Sequence, residues 1–301
     1  MPIIKKNDVT PERPVIVVIY GTPGSGKTSV ATTAANPILI DTDRGYDRAV
    51  QRVDTLVAND WNDICEAKND LKSYSTVIID TAKAMLDDYL SAFAISKNSK
   101  LAYNNLKRFG MMADDFKAFV NELRSNATDI IFVCHDKGVM ENDVTYHSPD
   151  CTGQSKDLLL RIADQVGYVC VAPNKMRTIS FDPADNYVGK NVAQLPAMTI
   201  PEATTPEFTT FMADIIANVK KSIQSKSEAQ REASEMVARL REQLAHVATE
   251  DDAQALTAEC TKLPQALKVP FFGEMKKVLT EKGFEYKNKK FTLKEKANDD
   301  K

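Results

Sequence analysis

The stretch Gly21-Thr-Pro-Gly-Ser-Gly-Lys-Thr28 follows directly on the apolar run PVIVVIY at 14–20. This junction constrains the fold more than any other feature of the chain. A continuous β-branched run bounded by proline and glycine is the pattern of a strand buried on both faces. The glycines after it let backbone N–H groups converge on phosphate oxygens, and a following helix adds its positive end. The spacing G-x-x-x-x-G-K-[S/T] is specific when it lies between a strand and a helix, as it does here. It assigns nucleotide phosphates to Gly21, Thr22, Pro23, Gly24, Ser25, Gly26, Lys27, Thr28 and Ser29. Lys27 is expected to reach the β- and γ-phosphates and the Thr28 hydroxyl to hold Mg²⁺. ATP and Mg²⁺ are the expected cofactors, with the choice between adenine and guanine left open.

Further short apolar runs alternate with helical patterns. Strands are expected at 37–40, 76–79, 129–133, 165–171 and 177–181. Helices are expected from Thr28 to Ala35, from Trp61 to Lys72, over 82–95, and over 111–125, where Met112, Phe116, Phe119, Val120 and Leu123 recur at helical spacing. Such alternation means an α/β fold with a mostly parallel sheet flanked by helices, and ligands at the carboxyl ends of the strands. The character changes near residue 206. Residues 206–222 read as a closing amphipathic helix, and 225–231 as a linker or exposed helix. Ala233, Val237, Leu240, Leu244 and Val247 form a short four-three seam better suited to packing on the rest of the chain than to a coiled coil. Thr249-Glu-Asp-Asp252 is a capping box. The lysine-rich end with Phe284, Tyr286 and Phe291 reads as a small hairpin. The expected organisation is an ATP-binding core over 1–222 and a mainly helical accessory region over 223–301.

Around the loop, three more positions carry chemistry. Asp80 closes the strand at 76–79, where a carboxylate can serve as the second Mg²⁺ partner. Asp41 and Asp43 end a neighbouring strand, and one of them is expected to orient or deprotonate the attacking water. His135, after the strand at 129–133, is placed to sense the γ-phosphate. A zinc site drawn from Cys134, His135, His147 and Cys151 has spacing poorly suited to tetrahedral zinc.

Composition narrows the partners. The net charge is −3, so any nucleic-acid contact must be local rather than spread over the surface. The five cysteines are odd in number, scattered and without a C-x-x-C pair, which fits free thiols in a reducing compartment. No secretory leader is apparent, and no apolar run approaches the roughly 20 residues of a membrane span. A cytoplasmic protein without a membrane partner is expected.

The ordered set of motifs resembles the RecA-like recombinase core, and more closely the short phage-encoded versions that anneal single strands. Over roughly 14–195, GTPGSGKT resembles the Walker A loop, LIDTDRGYD the strand ending in a catalytic acid, VIIDTAKAM the Walker B strand, and DIIFVCHDK the nucleotide-sensing strand. The resemblance implies catalytic roles for Lys27, Asp43, Asp80 and His135, although the family usually carries Glu and Gln where Asp43 and His135 stand. It makes 95–109 a first DNA loop, in which Lys97, Lys100, Lys107 and Arg108 interleave with Tyr103 and Phe109, cations for phosphates and rings for bases. It makes 137–156 a second loop, with Lys137 and Lys156 at its ends. It further implies that Lys175 or Arg177 acts in trans on a neighbour's nucleotide.

The implied protein is an ATP-dependent single-strand DNA binder of phage-type recombination, hydrolysing slowly with DNA stimulation. Its implied partners are single-stranded DNA, further copies of itself in a ring or filament, and a single-strand-binding protein. The alternative is a P-loop ATPase acting on protein partners or as a nucleotide-gated scaffold. A small-molecule kinase lacks its arginine-rich lid here, and a ParA-type switch needs a second loop lysine where Thr22 stands. An AAA motor wants an acidic pair where Asp80-Thr81 offers one acid.

Overall fold

Alternation along one strand divides the core. In the computed structural model, which describes residues 12–141 and 143–293, strand β1 (Ile16–Gly21) is buried throughout. Ile16, Val18 and Tyr20 join one apolar cluster, while Val15, Val17 and Ile19 join the other. A strand covered on both faces must be apolar at every position, which is why its sequence reads as an unbroken run.

Six parallel strands centre on it: β3 (Asp54–Val57), β2 (Pro37–Asp41), β4 (Thr76–Asp80), β5 (Asp129–Glu141), β1 and β7 (Gln165–Val171), in that spatial order. Antiparallel β8 (Arg177–Ser180) and β10 (Met198–Thr199) extend the β7 edge, β9 (Lys190–Asn191) pairs with β7, and β6 (Val144–Pro149) pairs with β5. One face packs on α2 (Trp61–Glu66), α4 (Leu90–Lys97), α5 (Asn105–Ser125) and α6 (Gly153–Ile162) through Trp61, Leu90, Phe116, Phe119 and Leu159. The other face packs on α1 (Lys27–Ala31) and the start of α7 (Phe211–His246) through Val30, Met212, Ile215 and Val219. This is the expected α/β fold, a mixed sheet with mostly parallel strands flanked by helices.

Several local expectations change. The helix after the loop ends at Ala31 rather than Ala35. Trp61 to Lys72 is two helices, α2 and α3 (Lys68–Leu71), the first capped by Asp60, whose side chain accepts from Asn62 and Asp63 N–H. β3 has no counterpart among the expected strands, because DTLV is too short and half polar to stand out. Of the two readings of 225–231, the helix holds: the stretch lies within the 36-residue α7, which carries neither glycine nor proline and is rich in Ala, Glu, Lys, Gln and Arg.

The chain divides into two compact units at residues 223 and 224. In the second, Val237, Leu240, Leu244 and Val247 pack against α8 (Glu250–Cys260), α9 (Gln265–Glu281) and a hairpin of β11 (Phe284–Lys287) and β12 (Lys290–Leu293). Thr249 and Asp252 form the reciprocal capping box. Phe284 and Phe291 are core residues of this unit, which accounts for the aromatics among the lysines. The lysines at 294 and 296 lie outside the described residues. Among the described residues no helix is long and apolar enough to cross a membrane.

Two carboxylates fasten the start of β1 from either side. Asp129 accepts the Val15 N–H at 2.8 Å and pairs with Lys220 at 2.9 Å. Asp164 accepts the Ile16 N–H at 3.0 Å while Arg13 grips both its oxygens at 2.6 and 3.0 Å. Removing one leaves a buried donor unsatisfied. Asp164→Ala is therefore expected to cost about 1–3 kcal/mol, read as a lower urea midpoint at unchanged slope.

Candidate nucleotide-binding site

The parallel register brings the strand ends together. Gly21 stands level with His135, Asp41 level with Asp80, and Asp80 level with Val133. The chain leaves β1 at Gly21 because nothing larger fits: a Cβ there would lie 2.3 Å from the Val169 carbonyl oxygen. It enters α1 through Gly26 at φ 91°, a left-handed conformation natural only to glycine.

Lys27 is buried, and its ammonium donates to the Thr22 carbonyl at 2.9 Å and to Ser25 Oγ at 3.4 Å. Burial pushes its pKa down, against the pull of Asp80. The Thr28 hydroxyl donates to Asp80 Oδ2 at 2.5 Å. Burial lifts the Asp80 carboxyl above the usual range, opposed by the Thr28 hydrogen bond and by Lys27. A hydroxyl and a carboxylate held together beside a phosphate loop are the hard oxygen donors that magnesium takes. These are the residues that could hold it.

A cavity of about 360 Å³ opens here. Pro23, Gly24, Gly26, Lys27, Thr28 and Ser29 border it with Asp41, Asp43, Asp80 and His135. The two neighbouring aspartates have different work. Asp41 is buried and accepts N–H groups from Asp43, Gly45 and Tyr46, so it builds the turn after β2. Asp43 has its carboxylate 3.6 Å from His135 Nε2, with about half of its side chain exposed. His135 Nδ1 is buried with no hydrogen-bond partner among the described residues.

Beyond the expected set, Arg48, Val50, Ile200, Ala203 and Phe208 also border the cavity. No motif announces them; they arrive by packing from the β2–β3 connection and from the segment 200–208. Arg177, expected to reach a neighbour's nucleotide, also borders this chain's own cavity, with its Cδ and Nε 3.7 Å from where a Cβ on Gly26 would stand. Lys175 is exposed in the turn before β8, at φ 65°, and does not border the cavity.

Both expected DNA loops are regular structure instead. Residues 95–109 comprise the end of α4, a 3₁₀ turn at Ser99–Tyr103, and the start of α5. Asn98 and Asn104 each cap the next turn with a side-chain acceptor. The polar run at 98–105 is thus a pair of caps rather than a loop. Lys100, Tyr103 and Lys107 are exposed. Lys97 sits over the Phe93 ring at 4.8 Å. The Arg108 guanidinium bonds Asn105 at 2.8 Å and reaches the Leu101 and Ala102 carbonyls at 3.5 Å, closing the turn.

Residues 137–156 form a hairpin, because β5 runs on past His135 to Glu141 and returns as β6, followed by α6. Its alternation is hard to see in CHDKGVME, where polar residues occupy both faces. Lys137 is exposed on β5, and Lys156 is half-buried in the first turn of α6. At the base, His147 Nδ1 lies 2.5 Å from Asp136 Oδ2, and its ring stacks on Tyr168 at 5.0 Å. Burial and Asp136 push Tyr168 up to about 12. Cys134 is held by a hydrogen bond to the Cys151 thiol and by burial, which raise its pKa. These pairings leave no cluster of three metal-ligating side chains among the described residues.

The buried Lys27 costs the fold what it offers a phosphate. Its depressed folded pKa means the penalty is complete below that value and fades as pH climbs toward the unfolded value near 10.5. Lys27→Met is expected to raise the melting temperature of the nucleotide-free protein at pH 7, by an amount that shrinks in alkaline buffer. The same variant should lose the further rise that nucleotide gives the parent, and scanning fluorimetry reads both.

Comparison with known proteins places this frame. No curated protein matches the chain. The family whose model matches residues 13–192 is described as an AAA domain, and the match spans the phosphate loop, Asp80, His135, the hairpin and Arg177. The single acid of Asp80-Thr81 counts against an AAA family on motif grounds, and the match overturns that argument. With more than half of its 301 residues matched, the chain belongs to the AAA domain family and is a P-loop ATPase.

Proposed function

We propose that this ATPase is a Mg²⁺-dependent, nucleotide-gated single-stranded DNA-binding protein of the recombination type, acting as an oligomer. One observation carries the reading: β5 bears His135 at the cavity, 3.6 Å from Asp43, and continues without a break into the exposed β5–β6 hairpin. A γ-phosphate at Lys27 and Thr28 would meet His135 directly, and any shift of that residue moves the root of the hairpin.

The surface chemistry supports a single strand as the ligand. Tyr103 is 95% exposed, flanked by the exposed cations Lys100 and Lys107. An aromatic ring left in water beside lysines is the pairing that stacks a base and neutralises its phosphates. Lys97 and Lys137 add charge, whereas Arg108 is already engaged in the turn. The resemblance to RecA-like annealing proteins supports the same ligand.

A second reading has its own observation. The hairpin exposes Val139, Met140, Val144 and Tyr146 with Lys137 as the cation of β5 beyond the cavity, a surface suited to a protein partner.

Fluorescence anisotropy of a labelled oligonucleotide separates the two. At one fixed salt with Mg²⁺, ATPγS is expected to tighten single-strand binding over ADP by about 5–150-fold, the range of a coupling of 1–3 kcal/mol. Tyr103→Ala is expected to weaken it by about 1–3 kcal/mol without changing ATP affinity. Equal binding with both nucleotides sinks the gating, and no binding at all sinks the DNA reading and leaves the hairpin to a protein.

A further inference from the structure

We propose that Arg177 is a catalytic cation supplied in cis, so that one chain carries every charged group its ATP site needs. The proposal rests on the ATPase reading of the cavity and names a residue within it.

The placement of Arg177 is fixed by backbone pairing. It opens β8 level with Val171 on β7, and its carbonyl accepts the Ile200 N–H at 2.8 Å. The tight turn before it is closed by the Lys175 N–H on the Ala172 carbonyl and the Ala172 N–H on the Met176 carbonyl, each at 2.8 Å. From there the side chain crosses to the phosphate loop. Its Cδ and Nε lie 3.7 Å, and its Cζ 3.9 Å, from the Cβ position of Gly26. The guanidinium therefore lies against the loop, within van der Waals reach of position 26.

Charge accounting at the cavity gives the arginine its partner. Asp41 is taken by three backbone N–H groups, Asp80 by the Thr28 hydroxyl, and Asp43 faces His135. Among the described residues no carboxylate pairs with Arg177, although its side chain borders the cavity. A guanidinium stays protonated at any working pH, and its planar fork matches phosphate oxygens two at a time. Lys27 and Arg177, which both border the cavity, would then both face phosphates bound at the loop.

The step they serve is hydrolysis. Water oxygen bonds to the γ-phosphorus as the bond from that phosphorus to the β,γ-bridging oxygen breaks. ADP keeps the bridging oxygen and its electron pair, the new phosphate keeps the water oxygen, and the released proton ends in solvent. Negative charge grows on the leaving oxygen, where a second fixed cation helps most.

Mixing variants tests the assignment. Arg177→Ala is expected to lower kcat about 100-fold or more and to weaken binding of a fluorescent ATP analogue more than that of the ADP analogue. Arg177→Lys should recover part of both. Arg177→Ala and Lys27→Ala are then mixed in equal amounts. If arginine acts in cis, the mixture hydrolyses at the mean of the two separate rates. If it acts in trans, about one quarter of sites in a randomly mixed assembly join an intact loop to an intact arginine, and activity returns toward that fraction. Such recovery overturns the proposal, as does an Arg177→Ala enzyme with unchanged kcat and analogue binding. Failure of the ATPase reading shows up separately, in wild-type protein that neither hydrolyses ATP nor loses analogue binding on Lys27→Ala.

Discussion

The hydrogen bond from the Thr28 hydroxyl to Asp80, at 2.5 Å, ties the phosphate loop to a strand that is not its neighbour. β5 lies between β1 and β4, so this contact crosses the line of β5, whose His135 stands level with Gly21. The arrangement needs parallel strands in this order. A parallel sheet sends all its carboxyl ends to one edge, and the crossover from β1 to β4 by way of β2 leaves the central slot for β5. The site is thus a property of the topology, with Lys27 and Thr28 delivered by the start of α1, Asp80 by β4 and His135 by β5.

The same order gives the site an outlet. β5 passes the cavity and continues to Glu141, and its extension is pinned twice. Asp136 and His147 pair inside its base, with Tyr168 stacked on the imidazole and Tyr187 stacked in turn on Tyr168, each pair at 5.0 Å. On the far side, Lys83 bonds Asp150 at 3.1 Å, and Asp87 accepts both the N–H and the hydroxyl of Thr152 at 2.9 Å. Lys83 and Asp87 lie just beyond Asp80 in the chain. Both β5 and the segment after Asp80 therefore hold the hairpin, and a change in either position is felt at its root.

How much of this could be read from the sequence follows from how local each signal is. The buried strands 16–21, 37–41, 76–80 and 165–171 announce themselves because burial on two faces demands uninterrupted apolar runs. The loop announces itself because phosphate chemistry fixes its glycines and its lysine. The hairpin stayed hidden since His135, Asp136, Lys137 and Gly138 interrupt the apolar period-two pattern of β5. The turn at Ser99–Tyr103 read as a basic loop because Asn98 and Asn104 look like loop residues until their side chains are seen capping helices. Arg177 was legible as a cation but not as a cation of its own chain, since only the pairing of β8 with β7 turns it toward Gly26.

On the proposed function, nucleotide state reaches the hairpin through His135. Amide hydrogen exchange over residues 136–149, compared between ATPγS-bound and ADP-bound protein with Mg²⁺, tests it most directly, because local opening of that hairpin is what the exchange reports. The account predicts different protection of the hairpin in the two states, with the difference collapsing in His135→Ala while the exchange of β1 and β4 stays unchanged. Identical hairpin exchange with ATPγS and ADP in the wild-type protein would contradict it.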